Sequence, residues 1–64
     1  GDAFDKMFIE MMMPHHAGAI TMAREALDTT ARPQIRRMSR NIIDAQAEEI
    51  GKMHMWHLRW FGKM

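Results

Sequence analysis

The sequence predicts an all-α fold: an antiparallel two-helix hairpin that dimerises into a four-helix bundle. Three observations carry this expectation. Apolar residues recur at steps of three, four and seven along two long stretches. The segment LDTTARP breaks the pattern between them. No alternating strand pattern, low-complexity tract or internal repeat competes with that reading. Dimerisation follows from size. A chain of 64 residues without cysteine has a thin core and no disulfide to brace it, and a lone hairpin leaves half of each apolar stripe uncovered.

The first helix is expected over about residues 2–28. Asp2 is placed to cap it, and Asp5 adds a second carboxylate to the first turn. Phe4, Phe8, Met12, Ala19, Met22 and Ala26 form its apolar stripe, widened by Ile9, His16, Ile20, Ala23 and Leu27. Lys6, Glu10, Ala17, Thr21, Arg24 and Asp28 fall on the opposite, solvent side. Pro14 removes one backbone hydrogen bond and is expected to kink the helix near Glu10, within a turn of His15 and His16.

The second helix is expected over about residues 33–61, with Pro33 in its first turn and residues 30–32 as connection and cap. Ile35, Ile42, Gln46, Ile50, Met53, His57 and Trp60 share one face, flanked by Met38, Ile43, Glu49, Trp56 and Phe61, and Gly62 reads as the stop. The whole chain, residues 1–64, is one helical-hairpin domain. A short connection makes the helices antiparallel. Counting outward from the turn, Met12 should face Glu49, and His15 and His16 should lie opposite Ala45 and Gln46. Phe8 should meet Met53, and Phe4 should be level with His57.

Composition narrows the chemistry. Net charge is +1 with 27% charged residues, which favours neither nucleic acid nor an acidic partner. Arg32, Arg36, Arg37 and Arg40 cluster at the start of the second helix without interleaved aromatics, and are expected to form a solvated basic face. No apolar run is long enough to cross a membrane and no signal peptide is visible, although a cleaved leader would leave no trace. Zinc–thiolate sites are excluded by the missing cysteine. No glutamate has a histidine three residues later, so a ferritin-like di-iron pair is absent, and Ser39 has no triad around it. The chain is therefore read as a non-enzyme.

Nine methionines are the outlier, and the string MMMPHHAGAITMA concentrates them beside two histidines. Residues four apart on a helix are neighbours. Three Met-x-x-x-His pairs arise this way: Met11 with His15, Met12 with His16, and Met53 with His57. Thioether with imidazole, and no thiolate, suits copper, with silver as its surrogate; calcium and magnesium want oxygen ligands and zinc wants more histidine or carboxylate. The competing reading makes Met7, Met22 and Met38 gap filler and the histidines core or boundary residues. His15 and His16 point roughly 100° apart, so only one can face fully inward. His54 and His57 sit among Trp56, Trp60 and Phe61, an aromatic end that packing alone explains.

The stretches FDKMFIEMMMPHHAGAITMA and NIIDAQAEEIGKMHMW resemble the bacterial family named domain of unknown function 305 over nearly the whole chain. The marks are Phe8, Ile9, Met12, Pro14, His15, His16, Gly18 to Ile20, Met22 and Ala23, then Ala45, Gln46, Glu49, Ile50, Met53 and Trp56. The resemblance implies a ferritin-like helical bundle, export from the cytoplasm, and copper held by methionine and histidine. Many members carry the hairpin twice, which supports homodimerisation or higher homo-oligomerisation of a single one. Carried over, the implied ligands are Met12, His15, His16 and Met53, while His54, His57 and Met11 are this sequence's own additions. The expected function is copper sequestration or transfer in the periplasm or outside the cell. The alternative is a structural homodimerisation module with no metal role. A third and weaker reading gives the segment MWHLRWFGKM a membrane-surface contact.

Overall fold

The computed structural model describes residues 1–63. Two helices form an antiparallel hairpin, α1 over Asp2–Thr29 and α2 over Pro33–Phe61, in a body of 44 × 18 × 14 Å. The long dimension is what helices of this length require at ~1.5 Å per residue. Met64, the last residue of the segment considered for membrane contact, lies outside the described residues. Among the described residues no helix is long and apolar enough to cross a membrane.

The termini differ in detail from the sequence expectation. Gly1, not Asp2, is the N-cap of α1, and no side chain caps it. Asp2 and Asp5 both lie inside the first turn, where their charge still favours the positive end of the helix dipole. The helix runs unbroken through Pro14, which leaves the Glu10 carbonyl without its usual i+4 donor. At the turn the Thr30 hydroxyl accepts the Arg32 backbone N–H at 3.2 Å, and Pro33 begins α2 as expected. Gly62 ends α2 with φ 86°, a conformation glycine adopts without strain, and its N–H closes the last turn onto the Leu58 carbonyl.

Arg36 is not simply part of a solvated basic face. Its guanidinium donates to the carbonyls of Leu27 and Thr30, the exposed negative end of α1. The last turn of α1 carries no basic residue of its own. The second helix thus supplies the positive charge that the first one lacks.

Ile9, Ala23, Met53, Ser39 and His57 are the buried positions of the seam. Two cross-helix hydrogen bonds fix its register. His16 Nε2 meets Glu49 Oε1 at 2.6 Å, and His57 Nε2 meets Glu10 Oε2 at 2.7 Å. Phe8 with Met53 and Met12 with Glu49 do share clefts. His16, however, does not bond opposite Gln46, and His57 reaches Glu10 rather than the level of Phe4. Helical side chains lean toward their own N-terminus. In an antiparallel pair the two sets lean past each other, so long side chains meet partners about a turn beyond a count made on the backbone. Glu10 stays exposed, as expected, yet its carboxylate reaches His57 across the seam.

One face of the hairpin stays open. Phe4, Phe8, Trp56 and Trp60 are exposed, as are Ile35 and Met38 nearer the turn. The rings group in stacked pairs, Phe4 with Phe8 at 29° between planes and Trp56 with Trp60 at 6°.

Candidate metal centre

The open face holds two adjoining clefts. The first, of about 410 Å³, is lined by Phe8, Met12, His16, Glu49, Lys52, Met53 and Trp56. The second, of about 360 Å³, continues toward the chain ends between Phe4, Asp5, Phe8, Ile9, Met53, Trp56 and Trp60. Helical spacing explains the first set. Phe8, Met12 and His16 are successive i+4 neighbours on α1, and Glu49, Met53 and Trp56 follow at four and three on α2.

His16 is the oriented imidazole of this cleft. Its Nδ1 donates to the Met12 backbone carbonyl at 2.9 Å, one turn earlier on the same helix. Its Nε2 is thereby turned across the seam, where Glu49 receives it. Metal-binding histidines are commonly held by this device, one nitrogen anchored on a backbone carbonyl and the other directed at the ion. Among the described residues no three His, Asp or Glu side chains gather as a metal-holding group. The residues that border this cleft include two methionines, Met12 and Met53, with the His16 imidazole and the Glu49 carboxylate in contact with it.

The remaining candidates separate from this set. Met11 and His15 lie on the exposed flank of α1, and His54 is exposed on α2. His57 is the most enclosed side chain, only 1% exposed. Both of its ring nitrogens face oxygen acceptors, Nδ1 the Gly62 carbonyl at 3.2 Å and Nε2 the Glu10 carboxylate. Phe61 packs edge-on against the ring at 5.5 Å. His57 therefore joins the two helices and the C-terminal cap, and a metal could take it only by displacing one of those partners. Sequence reasoning placed Glu10 on the solvent side and set Glu49 opposite Met12, and so paired neither with a histidine. The available signal was reciprocal: each helix offers one histidine and one glutamate to the other, in the same leaned register.

The model of the family "Domain of unknown function (DUF305)" matches residues 1–57. The chain belongs to this family. Among proteins similar to this DUF305 chain is uncharacterized protein L153 of Acanthamoeba polyphaga mimivirus, 38% identical over 50 residues that make up 78% of this chain and 33% of that protein. Two solved structures also resemble it, described as CopM in the Cu(I)-bound form and CopM in the Cu(II)-bound form. Both are 46% identical and superpose over 92% of this chain, with TM-scores of 0.89 and 0.88. The matched part is 43% and 40% of those chains, so this DUF305 chain spans less than half the length of the solved relatives.

Proposed function

We propose that the protein binds copper without catalysing a reaction, and that Met12, His16 and Met53 hold the ion in the first cleft. The observation that carries this reading is the anchored imidazole of His16 beside two thioethers in a single cleft. The likeness to copper-bound CopM supports the choice of metal. Soft sulfur donors with one nitrogen favour the monovalent ion. Binding at Nε2 exchanges the Glu49 contact for the metal, leaving Glu49 alongside as a counter-charge. Met11, His15 and His54 form a looser, exposed set outside this cleft, and His57 serves the fold.

Two hairpins complete the site. Facing each other across Phe4, Phe8, Trp56 and Trp60, two copies of this chain cover the open apolar side and roof the clefts as a four-helix bundle. The matched CopM chains are long enough for more than one such hairpin. Sequestration or transfer outside the cytoplasm suits a copper ligand set built without a single cysteine.

Anaerobic competition titration with Cu(I), or with Ag(I), tests the assignment. Loss of a neighbour that merely supports a ligand typically lowers metal affinity about 10–100-fold, and loss of a ligand lowers it at least as much. Met12→Leu, Met53→Leu and His16→Gln should each show that loss, whereas His15→Ala should not. Equal affinities across all four variants would refute the cleft as the site.

A further inference from the structure

Trp56 lines the first cleft together with Met12, His16 and Met53, although packing of the hairpin itself leaves the ring exposed. Its neighbour Trp60 does not line that cleft. The two indoles are stacked with centroids 5.7 Å apart and planes within 6° of parallel, so Trp60 occupies one face of Trp56. Trp60 lies one turn toward the chain end, and Glu49, Lys52 and Met53 lie toward the hairpin turn. Trp60 leaves the other face of Trp56 free, and Trp56 borders the same cleft as Met12, His16 and Met53. An indole face carries the most negative quadrupole of any side chain and attracts a cation placed over it.

We infer that Trp56 is itself part of the metal site, its free indole face covering a monovalent soft cation held by Met12, Met53 and His16. This inference rests on the proposed copper site and adds a selectivity element to it. An ion with two thioethers and one imidazole has a coordinatively open side. An aromatic face fills that side with weak, non-directional attraction and keeps water out. A monovalent ion accepts such a neighbour. A divalent copper ion, which prefers a tetragonal set of nitrogen and oxygen donors, gains little from it. Trp56 would thus bias the site toward the monovalent state by excluding the water that the divalent state would recruit. Trp60 acts behind it as the support that holds the ring in place.

The experiment uses the Trp60→Phe protein, in which Trp56 is the sole indole, titrated with Ag(I). Binding is measured separately by competition with a chelator. The expected result is a saturable red-shifted indole absorption band that follows the binding curve, since quenching by proximity alone leaves the absorption unmoved. Trp56→Leu, which keeps an apolar roof without the quadrupole, should bind Ag(I) about 2- to 30-fold more weakly. Circular dichroism of its metal-free form should match that of the parent. Trp56→Phe should fall between the two. Ag(I) binding that is equally tight in Trp56→Leu, with no indole band, overturns the role of Trp56 and leaves the Met12–His16–Met53 site standing. Absence of Ag(I) binding in the unaltered protein overturns both.

Discussion

Replacing Glu10 by alanine isolates the contribution of the cross-helix clamp. The substitution removes the acceptor that lies 2.7 Å from His57 Nε2 while leaving the imidazole 1% exposed. An enclosed polar atom deprived of its partner costs about 1–3 kcal/mol. The Glu10 side chain is 42% exposed, so water can follow into part of the vacated space. That places the loss in the lower half of the range, about 1–2 kcal/mol. A chain of this length has a total stability of only about 3–10 kcal/mol. At about 4–8 °C of melting temperature per kcal/mol for a small domain, the expected drop is about 5–15 °C.

Thermal unfolding followed by circular dichroism, at one fixed protein concentration and without metal, reads this directly. Glu10→Gln keeps an oxygen acceptor and should lose about half as much. Glu49→Ala provides the comparison, because it breaks the other His–Glu pair where the environment is wetter; its loss should stay below about 1 kcal/mol. If Glu10→Ala melted with the parent protein, or if Glu10→Ala and Glu49→Ala melted together, the clamp would not be a distinct source of stability.

Two further outcomes follow from the same structure. Arg36→Ala should lower stability by about 0.5–1.5 kcal/mol, since it strips the Leu27 and Thr30 carbonyls of their donor, whereas Arg37→Ala should be nearly silent in the same melt. If the proposed dimer forms, the parent should sediment at twice the mass of the chain and a Phe8→Glu/Trp60→Glu protein as a monomer, because each charge would be desolvated against the facing copy. Matching sedimentation of the two would remove the aromatic face as the interface.

Most of the fold was legible in the sequence because helix periodicity and punctuation are local properties. Pro33 and Gly62 mark boundaries through their own backbone chemistry, and the stripes through Phe8, Met12, Ile50 and Met53 needed only the helical repeat. The inter-helix partners were less legible. A count along two axes gives the level of each Cα, whereas Glu10, Glu49 and the histidines meet through side chains several bonds long that lean in opposite directions. The same limit affected His15 and His16. Sequence spacing showed that they point apart, but only the position of α2 decides that His16 enters the cleft while His15 stays outside.

The two histidine–glutamate pairs differ in a way that bears on the proposed copper site. Each spans the hairpin, and each histidine has its Nδ1 on a backbone carbonyl and its Nε2 on a carboxylate. A neutral imidazole has a single N–H, so filling both contacts takes a proton on each ring nitrogen or one on the carboxyl group. Copper at Nε2 would take the place of the proton held between the ring and the carboxylate, whichever of the two carries it. At His16, with its side chain 12% exposed and that of Glu49 54% exposed, the released proton and carboxylate both meet water. At His57, whose side chain is 1% exposed, an ion would have to enter the seam itself and detach Glu10 from α2, so metal entry is opposed by part of the folding energy. The difference in burial therefore adds to the thioether–imidazole set of the first cleft in favouring His16 over His57 as the ligand of the proposed copper site. It also predicts that Ag(I) raises the melting temperature of the His57→Gln protein by as much as that of the parent, although its starting point is lower. A loss of the silver-induced rise in His57→Gln would instead make His57 a ligand and overturn this division of roles.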